Sequence, residues 1–210
     1  LKNKTEQFIL DNAPTSIATQ QRFIHFLKEN QKLVKNGACL ASLPCGMLGE
    51  LLYLDFSKIK DFKLIGIDLD EKTFEDAKSL AKKQSLLEKT EFIQKNAWDL
   101  TVNEEFDLIS SNGLNIYEPD DDKVTQLYQK LYHALKPGGT LVTSFLTPPP
   151  TVTDSCEWNF SKINQDDLKK QKILFLDILQ AKWTCYRSTE QTKKQLESVG
   201  FQNMIFIADE

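Results

Sequence analysis

The sequence predicts an α/β protein: a doubly wound, mostly parallel sheet with helices on both faces and a lid insertion after the fifth strand. Three observations carry this reading. Short apolar runs of strand length alternate with amphipathic stretches of helical period through residues 38–146. A glycine-bearing turn, Ser42-Leu43-Pro44-Cys45-Gly46-Met47-Leu48-Gly49, follows the first of those runs. Asp68 closes the second run, about 20 residues beyond the turn.

The elements follow in order. Residues 15–36 have helical periodicity, with Thr15 or Ser16 as cap and Ile17, Phe23, Ile24, Leu27 and Val34 on the apolar face. ACLASL (38–43) is a buried strand, and a helix follows the turn over about 47–57. FKLIGID (62–68) is the second strand, and a helix over about 71–85 turns Phe74, Ala77, Leu80 and Ala81 inward. TEFIQK (90–95) and FDLISS (106–111) are the third and fourth strands.

A helix over about 120–136 buries Val124, Leu127, Leu131 and Leu135. Asp120, Asp121 and Asp122 stand at its start, where the helix dipole favours carboxylates. That placement explains the three acids without a metal. Pro137-Gly138-Gly139 ends the helix and leads into TLVTSFL (140–146), the fifth strand. Residues 147–187 break the rhythm: Pro148-Pro149-Pro150 opens a stretch with Trp158, Phe160, a helix near 165–182, Trp183 and Tyr186. A helix over 188–199, capped by Gly200, and a sixth strand, FQNMIFIA (201–208), complete the chain. The expected organisation is one domain: a helical cap (1–37), a cofactor-binding core (38–146), a lid or substrate insertion (147–187), and a C-terminal helix and strand (188–210).

Composition narrows the function. The 210 residues are 40% hydrophobic and 27% charged, with a formal net charge of -4. Mild acidity without a Lys/Arg run argues against a nucleic-acid surface. Cys39, Cys45, Cys156 and Cys185 have no C-x-x-C spacing, which argues against zinc and for a reducing compartment. No apolar run reaches the ~20 residues of a membrane span. The first residues, LKNKTEQFIL, are too polar for a signal peptide. The expectation is a cytoplasmic protein that meets a small molecule, with no nucleic-acid or membrane partner and no metal.

The turn and Asp68 define the candidate site. In a doubly wound sheet, ligands bind outside the carboxyl ends of the strands. Gly46 and Gly49 keep two positions of a G-x-G-x-x-G loop, where backbone approaches a ligand closely. The following helix start offers N–H groups to an anion. Pro44 replaces the first glycine; it fixes φ near −65° and removes one donor. Asp68 is placed to accept from ribose hydroxyls. A strand–helix turn with a surface aspartate is the plainer alternative.

Together these residues resemble the class I S-adenosylmethionine-dependent methyltransferases, a Rossmann-like fold, from about Ala38 to Asp209. The pieces are SLPCGMLG, GIDLDEKTFEDAK, EFIQKNAWDL, FDLISSNGLNIYEPDDD, LYHALKPGGTLVTSFL and STEQTKKQLESVGFQNMIFI. Their order and spacing are more specific than any one of them, and LKPGG is especially typical. PCG with SNGLNIYEPDD is similar to a bacterial subgroup of the family.

The resemblance implies S-adenosylmethionine as cofactor. Pro44, Cys45, Gly46 and Gly49 would lie against its methionine part, Asp68 would hold the ribose, and Leu69 would pack on adenine. Asn96, with Ala97 and Trp98 beside it, would meet the adenine amino group. An Asn carbonyl accepts the hydrogen bond that the family's more frequent Asp would take. Ser111, Asn112 and Gly113 would border the transferable methyl. The chain departs from the family at Ser42, where an acid is usual, and at Pro44. Only one strand is visible after Gly200, where the family closes its sheet with an antiparallel pair.

The cofactor brings an activated methyl, so the protein's main task is alignment, which contributes ~7–11 kcal/mol in favourable cases. A base is needed only where the acceptor must lose a proton. Tyr117 and His25 are the candidates for that chemistry; the plainer readings are an aromatic that packs the loop and a packed core histidine. Arg22 is a candidate for the cofactor carboxylate or a surface residue, and His133 is a surface residue. Ser110-Ser111-Asn112 ends the fourth strand without a carboxylate, unlike magnesium-dependent catechol-type methyltransferases. Tyr117, Trp158, Trp183, Tyr186 and Arg187 would line an acceptor pocket, or simply pack the insertion.

Methyl transfer to a small molecule at O, N or C is the first reading. A nicotinamide-dependent oxidoreductase also fits P-x-G-x-x-G with Asp68, although LKPGG and Asn96 count against it. A binding protein with a degenerate methyltransferase fold is the third reading, supported by Ser42 and Pro44.

Overall fold

The strand that precedes the glycine loop lies at the centre of the sheet. The computed structural model describes residues 3–149, 152–153, 156–181 and 185–209. Its strands are β1 (Ala38–Ser42), β2 (Phe62–Asp68), β3 (Thr90–Gln94), β4 (Phe106–Ser111) and β5 (Leu135–Thr143), in the order β3-β2-β1-β4-β5. Every pairing is parallel. Ser42 is level with Gly66 and with Ser110, and Asp68 with Gln94. The carboxyl ends therefore form one edge. The winding reverses between β1 and β4, the topological switch point where such sheets take ligands.

Helices cover both faces. The helices are α1 (Lys4–Asp11), α2 (Pro14–Gln31), α3 (Gly49–Leu52), α4 (Thr73–Lys83), α5 (Asp121–Ala134), α6 (Gln165–Lys172) and α7 (Thr189–Ser198). One core packs Val124, Leu127, Leu131 and Leu196 of α5 and α7 on Ile65, Ile67 and Ile109. The other packs Leu51, Leu52, Phe74, Ala77 and Ala81 of α3 and α4 on Leu40, Leu64 and Leu108. Val124, Leu127 and Leu131 are buried on α5 as expected, Leu135 is buried as the first residue of β5 instead, and Asp120 caps the helix by accepting from the amides of Asp122 and Lys123.

Several expected boundaries change. A separate α1 precedes α2, whose cap is Ala13 with Pro14 in the first turn, rather than Thr15 or Ser16. Phe26 and Asn30 face inward on α2, and Ile24 is 61% exposed. The helix expected over 47–57 contracts to the single turn of α3. Just beyond it, the Asp55 backbone exchanges two hydrogen bonds with the Gln31 side chain of α2, and the Asp55 carboxylate accepts from the Ser57 amide. A turn this short does not supply the helix-dipole anion site expected after the loop.

β5 begins at Leu135, so Lys136-Pro137-Gly138-Gly139 lies within the strand. A register shift between Phe106 and Leu108 of β4 absorbs it. The helix near 165–182 is α6 continued by a π-helical turn, Ile173–Ile178.

The sixth strand does not form among the described residues. Residues 201–209 join no ladder, although Phe206 stands edge-on to Phe145 at 6.0 Å and Arg22 binds Asp209 at 3.0 Å. The Phe201 amide donates to the Leu196 carbonyl at 3.1 Å where the segment leaves α7, and Ile205 remains 80% exposed. β propensity yields a strand only where a neighbour offers its backbone groups.

Candidate active site

The glycine loop is built from the ends of three strands. Leu43 N–H donates to the Ser110 carbonyl of β4, and Cys45 N–H to the Ile67 carbonyl of β2, both at 2.9 Å. The Leu43–Pro44 peptide is cis. Gly46 and Leu48 both have positive φ, 45° and 58°, and Leu48 is fully buried. Gly66 gives the loop room: a Cβ there would sit 3.2 Å from Cys45 Sγ. Burial, with Asp68 and Glu50 nearby, pushes the Cys45 thiol up to about 12, so it is a packing group and no nucleophile.

Asp68 lies directly against this loop. Its Oδ2 accepts from Gly46 N–H at 3.0 Å and its Oδ1 from Asp70 N–H at 3.1 Å. Each carboxylate oxygen keeps a lone pair. Leu69 beside it is 67% exposed. At the end of β3, Asn96 Oδ1 accepts from Trp98 N–H at 3.1 Å and keeps one lone pair, next to buried Ala97. The Trp98 indole donates to the Lys123 carbonyl.

Two residues absent from the sequence reading, Glu50 and Asn30, lie beneath the loop. Ser42 Oγ donates to Glu50 Oε1 at 2.6 Å. Asn30 Nδ2 donates to the Glu50 carbonyl at 3.2 Å and to Ser110 Oγ at 3.1 Å. All four side chains are buried. Burial holds the Glu50 carboxyl above its ordinary range, against the opposing hydrogen bonds from Ser42 and its own backbone. The detectable signal was a lone acid beginning the apolar run GELLYL. Asn30 follows Phe26 by four residues and so shares its face.

At the end of β4, buried Ser111 accepts the Ser144 amide at 3.3 Å through its carbonyl, and Asn112 Oδ1 accepts from Ser144 Oγ at 2.9 Å. Gly113 turns the chain at φ 79°. Asn112 and Gly113 stand at one end of a cleft of about 2190 Å³ that runs along β5. Tyr117, Trp158, Tyr186 and His25 line it; the loop and Asp68 lie outside it. Tyr117 is 59% exposed. The Trp158 indole donates to Thr147. Trp183 lies outside the described residues.

Arg187 is not a cation facing the pocket. It is 2% exposed, pairs with Asp121 at 2.8 Å, and donates to the carbonyls of Asn115 and Glu118. Its amide donates to the Leu146 carbonyl at 2.8 Å, closing the base of the 147–187 segment. Arg22 likewise binds Asp209. No group of three or more metal-ligating side chains occurs among the described residues, and no described helix is long and apolar enough to cross a membrane.

The donor set fits S-adenosylmethionine. Asp68 offers free lone pairs where a ribose is expected, and Glu50 is a buried carboxylate with no cation among the described ion pairs.

Comparisons with known proteins agree. The family profile described as "Methyltransferase domain" matches residues 44–139. A Bordetella parapertussis structure, named as that of a possible exported protein, is 41% identical over 96% of this chain, with a TM-score of 0.92. Phosphoethanolamine N-methyltransferase 2 of Haemonchus contortus, in complex with S-adenosyl-L-methionine, is 17% identical over 96% of this chain, with a TM-score of 0.61. A Nostoc punctiforme protein assigned as an O-methyltransferase is 14% identical over 97% of this chain, also at 0.61. The chain spans 67%, 45% and 57% of those three chains, respectively. No curated protein gives a match. The chain belongs to the class I S-adenosylmethionine-dependent methyltransferases. S-adenosylmethionine is accordingly its cofactor.

Proposed function

We propose that the protein transfers the cofactor's methyl group to a small-molecule acceptor at O, N or C, in the cytoplasm. One observation carries this reading. Asn112 and Gly113, after the carboxyl end of β4, line the aromatic cleft, while Asp68 and the glycine loop it binds lie outside that cleft at the carboxyl ends of β2 and β1. Pro44, Cys45, Gly46 and Gly49 would hold the methionine part, Asp68 the ribose, and Leu69, Asn96, Ala97 and Trp98 the adenine. Ser111, Asn112 and Gly113 would face the methyl. Bound there, the cofactor's sulfonium supplies an electrophilic carbon.

The remaining work falls to the chain. Tyr117, Trp158 and Tyr186 orient the acceptor, and the 147–187 segment serves as a lid that excludes water. Tyr117 and His25 are among the side chains lining the cleft that can move a proton, where an acceptor needs it.

Calorimetry with S-adenosylmethionine, S-adenosylhomocysteine and NAD, followed by an acceptor screen with methyl-labelled cofactor, tests the proposal. Binding of the first two and label transfer to a small molecule are expected. Label transferred only to protein or nucleic acid overturns the small-molecule assignment. Cofactor binding without transfer to any acceptor favours a binding protein.

A further inference from the structure

We infer that Glu50 holds the ammonium of the cofactor's amino-acid end. The inference rests on the cofactor placement proposed above. There, Asp68 and the residues after β3 take the adenosine half. The ends of β1 and β4 are left for the amino-acid half. Glu50 is the buried carboxylate at that point: it is 9% exposed and its Oε1 accepts from Ser42, the last residue of β1.

Two buried acceptors there lack a matching group. Glu50 belongs to none of the ion pairs among the described residues, and burying an unpaired carboxylate is costly. Asn30 Oδ1, on a fully buried side chain, accepts no hydrogen bond. The orientation of that amide is set by its partner, because the Glu50 carbonyl can only accept. A carboxylate without a cation, and an unpaired acceptor on the side chain that binds the same residue's main-chain carbonyl, fit a ligand group that is positive and only donates. An ammonium has three donors and no acceptor. Raised by burial, the Glu50 carboxyl ionises more readily once that charge arrives.

A purely structural Glu50 would also hydrogen-bond Ser42, so the test must separate the two roles. Calorimetry compares wild type and Glu50→Gln with S-adenosylmethionine, S-adenosylhomocysteine and methylthioadenosine. The first two carry the ammonium, and the third keeps the adenosine but lacks the amino acid. Glu50→Gln should weaken the first two by roughly 30-fold or more and leave methylthioadenosine unchanged. Equal loss of all three makes Glu50 a structural residue and overturns the inference. Loss for S-adenosylmethionine alone assigns Glu50 to the sulfonium and overturns it too. Unchanged affinities overturn it while the proposed cofactor site stands. Failure of the wild type to bind any of the three removes both.

A second measurement needs no variant. The ¹³C signal of the Glu50 carboxyl, titrated in the wild type, should shift its pKa down on S-adenosylhomocysteine binding and not on methylthioadenosine binding. The same response to both ligands overturns the inference even if Glu50→Gln does not fold.

Discussion

The Gly46 amide donates to Asp68 Oδ2 at 3.0 Å, tying the glycine loop after β1 to the last residue of β2. The carboxylate thus fixes the loop and is itself held with lone pairs free for a diol. Replacing it removes a charge-assisted acceptor and frees the loop together. Asp68→Ala is expected to weaken S-adenosylmethionine and S-adenosylhomocysteine about 10- to 100-fold by calorimetry. Asp68→Asn should lie between, because its amide oxygen can still accept from Gly46. Wild-type affinity in Asp68→Ala would remove this residue from the cofactor site.

Arg187 is a structural cation. Its guanidinium binds Asp121 and the carbonyls of Asn115 and Glu118, and Gln191 adds a second bond to Asp121 at 2.7 Å. Arg187→Met keeps volume but leaves two carbonyls without their donor. The unfolding free energy from urea titration should fall by about 3 kcal/mol. A variant of unchanged stability with a raised KM for acceptor would return Arg187 to the pocket.

The sequence was most legible where burial sets the pattern. Phe62–Asp68 and Phe106–Ser111 are strands with the expected bounds, because a central parallel strand is apolar on both faces. It was less legible where single side chains decide. The Gln31 side chain, 24 residues away in sequence, binds both backbone groups of Asp55 just beyond the single turn of α3, which no local pattern records. Residues 201–208 have strand composition but pair with no strand among the described residues. At the site, the loop and Asp68 were readable because their spacing is local. Glu50 and Asn30 were not, since their contacts join β1, α2, α3 and β4. For Arg187 the sequence left pocket and packing open, because an arginine among aromatics suits both, and only the fold shows it facing carbonyls.

Gly139 sits where β5 crosses the register shift. A Cβ there would lie 2.9 Å from the Lys136 carbonyl oxygen and 3.0 Å from that of Phe106. Both are backbone atoms of paired strands and cannot swing aside. Gly139→Ala is expected to cost about 1–3 kcal/mol in thermal or urea unfolding. Gly138→Ala meets no atom within 4 Å but has φ +78°, so it should cost about 1 kcal/mol. Reversal of that order would place the constraint in the turn rather than in the close approach.

Asp107, at the opposite edge of the sheet from the site, makes acid stability a local question. Burial alone would raise its carboxyl, but Lys136 at 2.6 Å, the Cys39 amide at 3.0 Å and Lys35 at 2.9 Å outweigh it and hold it at about 2. A carboxyl depressed in the folded state binds its proton more tightly when unfolded. Its contribution is therefore complete above the unfolded pKa, near 4, and is lost as pH falls through about 2. Both lysines are partly exposed, so the contribution is on the order of 1 kcal/mol after screening. Asp107→Asn should be less stable than wild type at pH 6 by that amount, and the gap should close by pH ~2. Other carboxylates titrate in the same window, so the difference between the two proteins, from urea titrations at several pH values, is the quantity to follow. A gap that stays constant with pH would mean that Asp107 acts through shape and hydrogen bonding, and not through its charge.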